Sequence, residues 1–251
     1  MKYLKSYESR SYELDRHDAL IPTYLIQYLQ ESADHQIHDL DKDYAEIYRE
    51  ERKAFIVSRM SVQVYQPVHK YAKLDCNTWV VPAKAANFPR AYELFSEGKL
   101  IARAYSNWAL VDVDTKKLVL QSEYDTSSYP SDEEPEMDIP NRFRLPKNIP
   151  WIEAGQVPVT LSLTDINGHM NNARYYNYLY DAIPNAEDYF ITSMNVRFVH
   201  EAPRGSTLTI HRSEEMEPGK LDPNADTIMY FKTEADGNDN VHAVFGLKKW
   251  K

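Results

Sequence analysis

VSRMSVQVYQPVHKYAKL (Val57–Leu74) and ITSMNVRFVHEAPRGSTL (Ile191–Leu208) read as two versions of one segment. Laying Met60 on Met194 also places Val62 on Val196, Val64 on Phe198, Lys70 on Arg204 and Leu74 on Leu208. The identities are few. What the two stretches share is an alternation of apolar and polar residues, a basic turn, and the start of a second strand. Alternation with period two sends one set of side chains to a core and the other set away from it. Each stretch therefore asks for a sheet buried on one face.

Outward from these segments the likeness continues. YELFSEGKLIARAYSNWAL (Tyr92–Leu110) parallels MYFKTEADGNDNVHAVFGL (Met229–Leu247), both with the strand, glycine turn, strand order of a hairpin. Upstream, YELDRHDALIPTYLIQYLQES from Tyr12 parallels LSLTDINGHMNNARYYNYLYDA from Leu161, each a short strand, a polar turn and a helical pattern. Three matches in one order imply a duplication.

The helices follow from spacing. Pro22 suits a first helical position, and Leu25, Leu29, Ala33 and Ile37 recur four apart. In the second copy Asn171 and Asn172 are N-cap types, Ala173, Tyr176, Leu179, Tyr180 and Ile183 form an apolar stripe, and Pro184 stops it. One helix and several long strands per half predict an α+β fold, an antiparallel sheet curled around each helix. The 19 tyrosines suit strands and walls that are apolar with one polar tip.

Five of the 14 prolines fall at positions 130–150, together with Asp132, Glu133, Glu134 and Glu136. Proline fixes φ and removes donors, and clustered acids repel, so this stretch reads as an extended linker. The expected division is 1–130, a linker 131–150, and 151–251.

A hydrophobic share of 43% with 27% charged residues is that of a globular chain. The single cysteine, Cys76, excludes an intramolecular disulfide and a cysteine-based metal site, and fits a cytoplasmic protein. The N-terminal residues lack the apolar core of a secretory signal, and no apolar run approaches the roughly 18–20 residues that span a bilayer. A net charge of −9 argues against general nucleic-acid binding.

The segment that carries chemistry is DINGHMNNARYYNYLY from Asp165. Asp165, Asn167 and His169 alternate at i, i+2 and i+4, a spacing that gathers three side chains on one side of an extended turn. The helix that follows opens with unpaired N–H groups able to polarise a carbonyl oxygen. A polar turn ahead of a helix is also the ordinary form of a cap, so pattern alone leaves both readings standing.

The string D-I-N-G-H-M-N-N-x-x-Y, Asp165 to Tyr175, resembles the motif of the acyl-ACP thioesterases, plant and bacterial. The SRM after a long helix and NWALVDVDTKKLV in the first half are similar to that family too, and the resemblance spans nearly the whole chain. It implies a tandem hot-dog fold, with catalytic residues in the second unit and the acyl chain held largely by the first. It implies hydrolysis of acyl-acyl carrier protein to free fatty acid, and no cofactor is expected; His169, His200, Asp165 and Glu201 are all metal-ligand types, but no H-x-x-x-H pair on a helix stands among them, so no metal is expected either. Position by position, the family's Asp, Asn and His fall on Asp165, Asn167 and His169, and its downstream carboxylate on Glu201. Plant members carry a cysteine after that glutamate; here Ala202 stands in its place, which leaves general-base attack by water. In that scheme Glu201 activates the water, His169 donates near the thioester, Asn167 positions water or carbonyl, and Asp165 orients its neighbours.

Three points stay open on residues alone. Strict alternation puts Met194, Val196, Phe198 and His200 on one face and Glu201 on the other with Arg197, unless a bulge before Pro203 turns Glu201 inward. The carrier could be CoA rather than a protein, and a non-catalytic acyl-binding protein is the remaining alternative. Acyl carrier proteins are acidic, so this acidic chain needs a local basic patch, for which Lys248, Lys249 and Lys251 are candidates. Asp15-Arg16-His17-Asp18 takes the motif's place in the first copy without its Asn or its spacing, and reads as a decayed site. The chain is expected as a monomer, since a tandem pair contains its own interface, or as a homodimer.

Overall fold

The computed structural model describes residues 2–40 and 43–250. Alternation becomes strand in both copies of the long segments, but the short strands expected from Tyr12 and Leu161 are single 3-10 turns, Ser11–Glu13 and Leu161–Leu163. β1 (Tyr3–Glu8), β2 (Lys53–Val64), β3 (Lys73–Val80), β4 (Phe88–Ser96) and β5 (Lys99–Asp112) build the first half, with β6 (Leu118–Val119) appended to β5. β7 (Ile152–Pro158), β8 (Tyr189–Phe198), β9 (Thr207–Arg212), β10 (Thr227–Ala235) and β11 (Asn238–Lys249) build the second. All join one antiparallel sheet in the order β1-β3-β4-β5-β2-β8-β11-β10-β9-β7, which reads the same from either edge once the halves are exchanged.

The two halves meet at β2 and β8. Ser61 pairs with Asn195, Met60 with Val196 and Val62 with Met194. Ser61 and Asn195 are the same position in the Met60-on-Met194 alignment, so a pseudo-two-fold axis runs through that pair. The helices α1 (Pro22–Leu40) and α2 (Arg174–Asp181) obey the same axis. Thr23 Oγ1 donates to the carbonyl of Ala173 at 3.1 Å, and these two residues are equivalent in the two turns.

One core runs through both halves. Leu25, Leu29 and Ala33 of α1 and Tyr176 and Leu179 of α2 pack on Met60, Val62, Met194, Val196, Phe231 and Phe245 of the sheet. This is the tandem hot-dog arrangement, with each helix wrapped by its own half of the sheet.

Two expectations need adjusting. The hairpin turns are Glu97-Gly98 and Asp236-Gly237, each with both residues at positive φ. Such two-residue turns match the strand twist and fix the register. They lay Tyr92 on Phe231, two residues from the alignment read off the sequence. Residues 131–150 contain no helix or strand, as their prolines require, yet they are not free of the sheet. Gln63 and Asp138 exchange two hydrogen bonds of 2.8 Å, Asn195 Nδ2 donates to the carbonyl of Pro140 at 2.7 Å, and Trp79 Nε1 to that of Glu133 at 2.9 Å. The segment is tied across the sheet's outer face and satisfies polar side chains that would otherwise be buried without partners.

Candidate active site

The turn ahead of α2 is built by Asp165. Its Oδ1 accepts from the backbone N–H of Asn167 at 2.8 Å and of His169 at 3.4 Å. Its own N–H donates to the His169 carbonyl at 2.9 Å, and Gly168 N–H to the Asp165 carbonyl at 3.1 Å. Gly168 sits at φ +78°, the left-handed region that glycine enters without strain. Asp165 thus holds the backbone that aims Asn167 and His169. The expected cap is shifted: Asn171 Oδ1 accepts from Ala173 N–H at 2.9 Å and closes the turn that leads into α2, while the helix's own N-cap position is Ala173, which has no side-chain cap.

The turn is stitched to the loop that follows β8. Met170 N–H donates to the Ala202 carbonyl at 2.9 Å and Arg204 N–H to the Gly168 carbonyl at 3.0 Å, with His169 and Pro203 paired between them. This stitching brings His169 Nε2 to 3.3 Å from Glu201 Oε2. Glu201 thus leaves the Arg197 face and stands beside His169 while its side chain stays about half exposed, and the cause of its turn is visible. Regular pairing of β8 ends at Phe198, and the N–H groups of Val199 and His200 both donate to the Asn240 carbonyl, at 2.8 and 3.2 Å. That doubled bond breaks the alternation before Glu201. His200 turns outward, its Nδ1 2.7 Å from the Asp239 carbonyl, and so stands apart from the cluster.

Asn240 is a member of the site that sequence reading missed. Buried at a bulge in β11, it donates through Nδ2 to the His200 carbonyl at 2.5 Å and to Tyr175 Oη at 3.2 Å, and accepts from Thr233 Oγ1 at 2.8 Å. It ties the first turn of α2 to the loop that carries Glu201. Tyr175 lies close enough to feel both carboxylates: burial first, then the charges of Asp165 and Glu201, push its phenol up to about 12, against the pull of the Asn240 bond. The only signal in the sequence was an asparagine amid the alternation of β11.

The first-half turn corrects one expectation. Asp15 Oδ1 accepts from His17 and Ala19 N–H at 2.8 and 3.0 Å, Asp15 N–H donates to the Ala19 carbonyl, and Asp18 takes positive φ where Gly168 does. Leu20 N–H donates to the Val68 carbonyl as Met170 does to Ala202. The spacing is intact. What differs is chemical: His17 replaces Asn167, Ala19 replaces His169, and Pro67 stands at the position of Glu201.

A cleft of about 870 Å³ runs from Asp165, Asn167 and Asn171 along α1 to Tyr44, Phe55 and Trp108 of the first half. Those three aromatics also line a smaller cavity of about 90 Å³, walled by Val80, Ala83, Phe88 and Arg90 among others. Cys76 is fully buried on β3, and burial pushes its thiol up to about 12, so it is not a thiolate at ordinary pH. Among the described residues one group has metal-ligand spacing, His38, Asp43 and Glu46, but Asp43 and Glu46 are engaged with each other's backbone N–H as a capping box. Lys248 and Lys249 end β11, and Lys251 lies outside the described residues.

Residues 1–124 match the profile of the acyl-ACP thioesterase N-terminal domain, and residues 152–244 that of the acyl-ACP thioesterase C-terminal domain. The fold superposes on an acyl-ACP thioesterase from Bacteroides thetaiotaomicron with a TM-score of 0.82 at 20% identity, covering 98% of this chain and 97% of that one. It superposes equally on the 12:0-ACP thioesterase from Umbellularia californica, with a TM-score of 0.82 at 15% identity, covering 99% and 94%. No curated protein sequence matches the chain.

Proposed function

The chain belongs to the acyl-ACP thioesterase family, both of whose domains it carries, and from that premise we propose how its second half hydrolyses the thioester of an acyl-acyl carrier protein. Glu201 takes a proton from water as the water oxygen bonds to the thioester carbonyl carbon. Asn167 holds the carbonyl oxygen as it gains charge. The proton passes from Glu201 to His169 and on to the sulfur as the carbon–sulfur bond breaks, which frees the carrier thiol and a fatty acid. Asp165 acts through the turn backbone.

The observation that carries this reading is the 3.3 Å contact between His169 and Glu201, two residues 32 positions apart brought together by a turn and a bulge. Positioned acid–base groups of this kind contribute about 10²–10⁴-fold. With Ala202 buried beside them and no thiol within the motif, water is the nucleophile.

We assign 1–130 to holding the acyl chain, 131–150 to the connection, and 151–251 to catalysis. The cleft that leaves Asp165 and Asn167 ends on first-half aromatics, which supports that division. Release of the acid would end chain elongation. Cytoplasmic residence is part of the same proposal, supported by a sequence whose single cysteine leaves no disulfide framework; none of the described helices is long and apolar enough to cross a membrane. The test is thiol release from acyl-ACP and acyl-CoA of graded chain length. Release from acyl-ACP is expected, and its absence with every chain length would refute the assignment. Faster turnover of acyl-CoA would move the carrier preference to CoA.

A further inference from the structure

The small cavity beyond the cleft has a charge on its wall, planted on the core face of the sheet. Period two puts Arg90 of β4 between Val80 of β3 and Ser106 of β5, in a row that continues to Met60 of β2. Met60 belongs to the core, as do Tyr92 and Leu94, which share the Arg90 face of β4. Arg90 is 4% exposed. Its Nη1 donates to Gln36 Oε1 of α1 and, at 3.2 Å, to Thr78 Oγ1 of β3. Both acceptors are buried and neutral, so they orient the guanidinium without balancing its charge.

No acid balances it either. The acid of the same strand, Glu93, lies on the opposite face, where Lys2 and Arg103 hold it at 2.7 and 3.2 Å. Among the described residues no carboxylate lies within ion-pair distance of Arg90, and none lines the cavity. A buried charge is costly unless an opposite charge meets it. The amide nitrogen of Gln36 is buried beside it without a partner, a second donor that lacks an acceptor. Tyr44, whose ring stacks on Trp108 at 5.9 Å, stands between cleft and cavity. Burial pushes the Tyr44 phenol up against the pull of the Arg90 charge, so that charge is felt at the entrance.

Resting on the thioesterase reading and on the cleft as the path of the acyl chain, we propose that Arg90 seats a carboxylate at the far end of that chain, and that the enzyme releases dicarboxylic acids from their half-thioesters in preference to methyl-ended acids of equal length. A hydroxyl would accept a hydrogen bond but leave the charge unbalanced. A carboxylate does both, and its plane fits the edge of a guanidinium. The chemistry at the other end is unchanged: water adds to the thioester carbonyl carbon, the carbon–sulfur bond breaks, and the sulfur leaves with a proton. The path to the seat has the opposite sign. Glu31, Asp34 and Asp43 line the cleft short of the cavity. A chain too short to pass Tyr44 leaves its carboxylate among these acids, where like charges repel. Preference therefore depends on length: the carboxylate hinders short chains and helps those that reach Arg90.

The experiment follows thiol release by the unaltered protein from three series of acyl-ACP of graded length: half-thioesters of α,ω-dicarboxylic acids, their ω-methyl esters, and methyl-ended chains. Above one length the free carboxylate is expected to raise kcat/KM about tenfold or more over both neutral ends, the scale of one hydrogen bond to a charged group. Below that length it should lower it. A free carboxylate that is no better than the neutral ends at every length overturns the seat. Arg90→Met is expected to abolish the preference and Arg90→Lys to keep part of it; a preference that survives Arg90→Met overturns the assignment to Arg90. Should Arg90→Met not fold, the three series on the unaltered protein still decide. No release from any chain, methyl-ended ones included, would overturn the activity itself, a different failure from release without preference.

Discussion

The side-chain amide of Asn240 donates to the main-chain carbonyl of His200 at 2.5 Å, one residue ahead of Glu201. The same nitrogen reaches Tyr175 Oη, so one buried group sets the distance between the helix and the loop whose side chains must meet. Asn240→Leu is expected to lower kcat by up to about 100-fold, the scale of an ångström-sized misplacement, with KM for acyl-ACP little changed. It also leaves the His200 carbonyl without this donor, at a cost of about 1–3 kcal/mol, while Thr233 Oγ1 keeps the N–H of Val241. Steady-state kinetics beside thermal unfolding separate the two effects. A stability loss with kcat intact would make Asn240 purely structural.

Glu201→Gln keeps size and removes the base; His169→Ala removes the relay. Each is expected to cost about 10²–10⁴-fold in kcat/KM. Because both act on one proton path, the double variant should lose little more than either single one. Multiplicative losses would show that the residues act independently.

The small aromatic-lined cavity is the proposed seat of the acyl terminus. Ala83→Phe would fill much of its roughly 90 Å³. The preferred chain should shorten while activity on short chains persists. Thiol release across a chain-length series checks this, and an unchanged preference would place the acyl end elsewhere.

Asp34, on the cleft wall, is raised above its ordinary 3.8 by burial first, then by Asp43 and Glu31. Its folded form binds a proton more tightly than its unfolded form, so its effect on stability is absent well below 3.8. Stability is then lost as pH rises through the folded value. Asp34→Asn should therefore raise Tm near neutral pH and leave it unchanged at about pH 3. A gain of equal size at both pH values would point to packing instead of charge.

Cys76 should be silent. With its thiol buried and pushed up to about 12, native protein is expected to keep full activity after exposure to a thiol reagent, and to react only when unfolded. Inactivation of the native protein by such a reagent would contradict both its burial and the water mechanism.

Period-two alternation was enough to place β2 and β8, the helix spacing enough to place α1 and α2, and the two sets of matches enough to suggest a duplication. The failures have a common cause. Hairpin register depends on which two residues take positive φ; Asp236-Gly237 is a recognisable turn pair, but Glu97-Gly98 carries little sign of it. The first-half turn looked decayed because its side chains changed, while the backbone bonds made by Asp15 did not. The turn of Glu201 toward His169 depends on a β11 bulge 39 residues away, and the docking of the proline segment depends on Gln63 and Asn195. Such contacts are tertiary, and no local pattern encodes them.

The pair Ser61 and Asn195 marks where two identical subunits would meet if the halves were separate chains. In such a dimer any substitution arises twice, and a change that erases one histidine erases both. Joined in one chain, the halves inherit changes separately. Ala19 and Pro67 could then appear in one turn while His169 and Glu201 persisted in the other, and the freed half could diverge as a measure for the acyl chain.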